Sequence, residues 1–253
     1  VGILFGIAWL YLYRDPLNCK KVSKQELEYI EAGGGLVKSS QDKNTFKWAQ
    51  IAELLKYRQV WAICIGKFAS TSALYFFLTW FPTYLIEERH LTMVKVGIFA
   101  VLPFIGATVG VLLAGFIADW MIRRGVSLSF ARKLPLVVGS ALGMSIMLVN
   151  FTDSNELCIA LLTIAFFAQG IASSSWAAVS EVAPKELIGL TGGITSLAAN
   201  IGGIVTPIVI GQILHLTGNF AWAFWFIGGM ACIGTLSYSL LLGRIYRIEL
   251  KAK

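Results

Sequence analysis

The chain has 253 residues, 57% of them hydrophobic and 14% charged, with a formal net charge of +7. Soluble domains carry about a quarter of their residues as charges, so this composition excludes an ordinary soluble globule and points to an integral membrane protein. The basic residues lie between apolar runs rather than on one face, which sets nucleic-acid binding aside.

The first stretch, VGILFGIAWLYLY at 1–13, is apolar but shorter than the roughly 20 residues a spanning helix needs. It reads as the end of a helix that begins outside this sequence, and the chain as a fragment. Residues 14–58 form a polar connector. Within it, SKQE at 23–26 has capping-box spacing and AGGG at 32–35 supplies a stop, which predicts a short helix between them. A second helix is expected around TFKWAQIAELLKYR at 45–58, with Trp48, Ile51 and Leu55 on one face and Lys47 and Arg58 elsewhere. That pattern suits a helix at the membrane interface; a solvated linker is the alternative.

Six apolar runs follow, at 59–85, 96–118, 134–151, 157–179, 191–215 and 221–243, each near the length of one helical crossing. None shows the alternation of a barrel strand, so helices are predicted across 59–243, with a tail at 244–253. Segments 14–58, 119–133, 180–190 and 244–253 hold 9, 4, 1 and 4 Lys plus Arg, against 2, 0 and 0 in 86–95, 152–156 and 216–220. By the positive-inside rule the first set is cytoplasmic, and with it the C-terminus.

All 14 Asp and Glu fall in loops or at span edges, so Lys67 is the single formal charge inside an apolar run. Lys67, Ser70, Thr71, Leu74 and Tyr75 share one helical face. A cation with hydroxyls above it suits an anionic, hydroxylated ligand; snorkelling or a structural ion pair is the other reading of Lys67. Trp80 lies opposite on an ideal helix and joins that face only if Pro82 bends it.

GFIADWMIRRG at 115–125 places Asp119, Arg123 and Arg124 at a helix end, either as a solvated charge cluster or as a latch that holds one conformation closed. In AQGIASSSWAAVS, 168–180, Gln169, Ser173 and Trp176 align at i, i+4 and i+7, with Ser174 and Ser175 beside them. Directed polar groups against an aromatic wall are what a sugar-like ligand needs, although serines in membrane helices also serve as packing residues. In TGGITSLAANIGGIVTPIVIG, 191–211, Ser196, Asn200, Gly203 and Pro207 lie on one stripe, and a buried Asn200 amide would need partners. The paired glycines fit close helix contact and Pro207 a bend. His90 and His215 are isolated and read as surface residues, and the four cysteines as free thiols without metal-ligand spacing. The spans hold neither a nucleophile–base pair nor a metal-ligand set, so an enzyme is not expected.

With YFFLTWFPTYL (75–85), GFIAD (115–119), SSSWAAVSEVAPKELIGLTGG (173–193) and NIGGIVTPIVIG (200–211), the chain resembles the second half of a major facilitator superfamily transporter. YRDPLN (13–18) and LEYIEAGGG (27–35) also fit. More narrowly it resembles the anion:cation symporter family and its bacterial glucarate/galactarate and galactonate permeases.

The resemblance implies an all-α inner-membrane protein, this chain supplying the six-helix C-terminal bundle and the end of helix six. It implies no cofactor, and as partners an organic anion, protons, the lipid bilayer and the first six-helix half. In such carriers, positions matching Ser173, Ser175 and Trp176 contact the sugar acid. A further asparagine contact falls on Ser196, where this chain departs from the pattern; Asn200, one turn on, is the candidate substitute. The coupling carboxylates belong to the first half in these relatives. A tricarboxylate or phthalate-like anion is the alternative cargo.

Overall fold

The computed structural model describes residues 2–14, 19, 22–32 and 48–249, and among these every regular element is helical. Residues 33–35 of the expected glycine stop, 45–47 ahead of the second connector helix and 250–253 of the tail lie outside the described residues. The chain divides into two units, Val1–Trp48 and Ala49–Lys253.

The first unit holds α1 (Gly2–Leu12), apolar on every face, and α2 (Lys24–Ala32). The start of α2 has the expected cap, with the Glu26 amide donating to Ser23 Oγ at 3.2 Å.

The connector passes into the second unit through α3 (Trp48–Leu54), which turns Leu54 inward and leaves Ile51 and Leu55 half-buried. Six helices long and apolar enough to cross a bilayer follow, one for each predicted run. The first is α4 (Arg58–Thr79), broken from α5 (Phe81–Glu87) at Trp80 because Pro82 lacks the amide that would continue the ladder. Next, α6 (Met93–Phe99) and α7 (Val101–Arg123) form one crossing, with Pro103 in the first turn of α7 where its missing amide is harmless. The third is α8 (Leu128–Gly143), which tightens into a 3-10 segment, Met144–Phe151. Ser154 caps α9 (Asn155–Ala172) by accepting from the Leu157 amide at 3.3 Å.

α9 breaks at Ser173 and Ser174, and α10 (Ser175–Val182) completes that crossing. Both serines turn their hydroxyls back on the α9 backbone, Ser173 Oγ donating to the Gly170 carbonyl at 2.7 Å and Ser174 Oγ to that of Ile171 at 3.1 Å. Such local bonds compete with the helix ladder. The fifth crossing, α11 (Ile188–Thr217), stops at Gly218, whose φ of 69° is the left-handed cap that glycine adopts without strain. The last is α12 (Ala221–Leu236), which ends in a π turn, Ser237–Leu241.

α7 packs along α9, α4 along α11, α8 along α9, and α12 against both α4 and α8. Apolar side chains gain little from leaving lipid for each other, so close backbone approach carries much of this packing. A Cβ on Gly110 of α7 would collide with the Phe167 carbonyl oxygen, and one on Gly170 of α9 with that of Ala107. Gly202 of α11 likewise sits against the Phe68 carbonyl of α4. Gly202 thus makes the close helix contact expected of the paired glycines, and Gly110 and Gly170 make a second that the sequence reading did not single out.

The two ends of the bundle are tied differently. At one end Arg89 donates to Tyr84 Oη at 2.7 Å and to the carbonyls of Thr152 at 2.8 Å and Asp153 at 3.2 Å, while Glu88 accepts from the Phe220 amide at 2.8 Å. At the other, residues 242–249 run as a strap beneath the helices. The Ile245 amide donates to Ser129 Oγ at 2.8 Å, the Ile248 amide to the Val182 carbonyl at 2.9 Å, and Gln59 Nε2 to the Arg244 carbonyl at 2.5 Å. Leu242, Ile245 and Ile248 are buried there with Val60, Ile63, Val179 and Val182.

Candidate functional site

The predicted polar residues come from α4, the broken α9–α10 crossing and α11. Lys67 is 8% exposed, and its Nζ lies 4.3 Å from the centroid of the Trp176 ring. Among the described residues no carboxylate lies within ion-pair distance of the amine and it donates no hydrogen bond; an indole face is what it meets. Such a face attracts a desolvated cation by about 2 kcal/mol, well short of a carboxylate in the same surroundings.

Trp176 stands second in α10, so the break at Ser173–Ser174 sets where its ring falls. It also restates the sequence pattern: Gln169 belongs to α9 and Trp176 to α10, and they do not share one continuous helical stripe. The indole is 57% exposed, and its far edge rests on Gly192 of α11, where a Cβ would meet Cη2 at 2.8 Å.

One turn above Lys67, Ser70 Oγ donates to Gln169 Oε1 at 3.1 Å, and Gln169 Nε2 donates to the Ser70 carbonyl at 2.6 Å. Two bonds in opposite senses make this pair a brace between α4 and α9. A cavity of about 20 Å³ lies beside it, room for one water and not for a sugar acid.

Tyr75 packs flat on Gly203, and Trp80 on Gly211 of the same helix α11. The α4–α5 break therefore does bring Trp80 to the helix that Tyr75 faces. Thr71 and Leu74 are half-buried.

Ser173 is exposed, Ser175 is 5% exposed, and Ser196 is half-buried. Asn200 is exposed rather than buried, and its Nδ2 donates to the Ser196 carbonyl at 2.8 Å within its own helix. Ser173, Trp176 and Asn200 are thus the members of this set that reach the surface.

The charge cluster resolves into a pair that sequence spacing missed. Asp119 Oδ1 lies 3.5 Å from Arg132 Nη1 on α8, not from Arg123 or Arg124. Arg124 stacks on Trp120, its Cζ 4.9 Å from the ring centroid. His90 and His215 are exposed, Cys64 and Cys158 buried, and Cys19 and Cys232 half-buried as free thiols.

Six apolar helices long enough to cross a bilayer, with a buried amine against an indole and a braced polar pair among them, define a multi-pass helical membrane protein. A profile of the Major Facilitator Superfamily matches residues 1–207. The chain belongs to that superfamily.

Among its relatives, a probable galactarate/D-glucarate transporter of Escherichia coli K12 is 40% identical over 257 residues, covering 99% of this chain and 57% of the relative. A D-galactonate transporter of Escherichia coli O6:H1 is 42% identical, covering 98% of this chain and 58% of the relative. A probable galactarate/D-glucarate transporter of Bacillus subtilis is 41% identical, covering 99% and 56%. The chain therefore spans a little over half the length of these relatives.

Proposed function

We propose that this chain is the C-terminal six-helix bundle, with the end of helix six, of a secondary transporter that imports a sugar acid such as glucarate, galactarate or galactonate by proton symport. The carrier sits in the inner membrane with its C-terminus cytoplasmic, and alternating access rocks this bundle against the first six-helix half.

One observation carries the reading: the sole charge within the apolar runs is an amine held against an exposed indole, in a chain similar to transporters of galactarate, glucarate and galactonate. Lys67 attracts the anion, Trp176 and Tyr75 form an apolar wall, and Ser173, Ser196 and Asn200 offer hydroxyl and amide groups. Ser70, Gln169 and the buried Ser175 hold that surface in place. Asp119, with Arg123 and Arg124 nearby, closes the cytoplasmic side in one of the two conformations. No Asp or Glu lies inside the apolar runs, so the proton-coupling carboxylates belong to the first half.

The test is uptake by the full-length carrier in proteoliposomes. Labelled galactarate, glucarate or galactonate is expected to accumulate above its outside concentration only under an inward proton gradient, and a protonophore should abolish the accumulation. Accumulation that ignores the proton gradient would remove symport from the reading. Uptake of citrate or phthalate with none of the sugar acids would replace the cargo.

A further inference from the structure

Resting on the sugar-acid reading, we infer that Lys67 is the counter-ion for a second carboxylate, so that this carrier selects dicarboxylic sugar acids over monocarboxylic ones with the same carbon skeleton. Relatives named for both kinds match with nearly equal identity, 40% and 42%, so overall similarity does not choose between them. A specific charge does.

The amine is 8% exposed and, among the described residues, no acid pairs with it. The nearby polar groups do not compensate it either, because Ser70 and Gln169 are spent on each other through two hydrogen bonds. Asp119 is paired with Arg132 at the end of α7. All three amine donors therefore remain for a ligand, with the Trp176 face 4.3 Å away as the contact the amine makes in the meantime.

A dicarboxylate can place one end against Lys67, its hydroxylated chain along Trp176, and its other carboxylate beyond this bundle. A monocarboxylate has a single anionic group, and any pose that carries it away from Lys67 leaves the buried amine unpaired. Sites built around a buried charge or donor reject ligands that leave it unpaired much more strongly than apolar pockets reject a misfit.

The experiment measures uptake of galactarate and galactonate in the same proteoliposomes for the full-length carrier and for Lys67→Gln and Lys67→Arg. These two acids share a six-carbon skeleton and differ in whether the second end is a carboxylate. The ratio of their kcat/KM values does not depend on how much protein folds, which keeps the test sound if a variant is unstable. The unsubstituted carrier is expected to favour galactarate, Lys67→Gln to lower that preference by about tenfold or more, and Lys67→Arg to hold it within about threefold. A ratio unchanged in Lys67→Gln, or a starting preference for galactonate, overturns the inference and leaves the sugar-acid reading standing. Uptake by the unsubstituted carrier of neither acid, nor of glucarate, overturns that reading itself, and this inference with it.

Discussion

Gln169 and Ser70 show how one residue can be read as ligand or as brace until its partners are known. From spacing alone Gln169 belongs to a polar face beside Ser173 and Trp176. Its two bonds to Ser70 give it a structural task that no one-dimensional pattern marks, since the pair is 99 residues apart. Gln169→Ala removes both bonds and strands the Ser70 groups, which is expected to lower stability by about 1–3 kcal/mol. Thermal unfolding of the purified full-length carrier checks this; a variant that melts like the parent yet loses uptake would make Gln169 a ligand instead. Gly170 is a second residue whose role is read from contact rather than type. Its absent side chain lets α9 lie against the Ala107 carbonyl, so Gly170→Ala should displace the α7 backbone and cost about 1–3 kcal/mol in the same assay. The G-x-x-x-G at 106–110 was the available sequence signal for that approach.

At the scale of elements, apolar runs mark the thickness of lipid and not the length of helices. The run at 191–215 lies inside the crossing Lys185–Thr217, and that at 96–118 inside Met93–Arg123. A backbone ladder continues into the interface wherever its groups stay satisfied, so charged residues such as Arg123 remain helical. Breaks inside a crossing were only partly legible. Pro82 announced the break after α4; the serines at 173 and 174 carried a weaker signal for that after α9, by their tendency to bond backward, and the break at Ala100 between α6 and α7 went unmarked. The strap was missed because 244–253 is rich in charge, although Leu242, Ile245 and Ile248 recur at every third position. That strap matters for α10. Its amide at Ile248 holds the Val182 carbonyl at the end of the helix whose start carries Trp176. Ile248, 1% exposed, should cost about 2–5 kcal/mol when cut to Ala, seen as a lower midpoint in thermal unfolding. By contrast Asp119, 60% exposed in its pair with Arg132, should give Asp119→Asn an effect of at most about 1 kcal/mol. A loss of uptake without loss of stability in Asp119→Asn would mark the pair as a latch.

For the whole molecule, the side-to-side charge alternation read from the sequence falls on two physically distinct ends. The connections poor in Lys and Arg are gathered by Arg89, which reaches the Thr152 and Asp153 carbonyls, and by Glu88, which meets the Phe220 amide. The richer ones meet at the strap, through Ser129 and Val182, and at the Asp119–Arg132 pair. Positive-inside bias alone assigns sides but says nothing of contact, and contact alone says nothing of which end faces the cytoplasm. Together they define a single arrangement that single cysteines can probe. Within this chain Cys64 and Cys158 are buried, so replacing Cys19 and Cys232, together with any cysteine of the first half, removes the natural thiols that a reagent would otherwise reach. In that background, a membrane-impermeant maleimide is expected to label His90→Cys and Asn219→Cys in intact cells of the full-length carrier. Ser127→Cys and Lys185→Cys should react only after the membrane is opened. Labelling of His90→Cys and Ser127→Cys from the same side would break the alternation, because an odd number of crossings separates them.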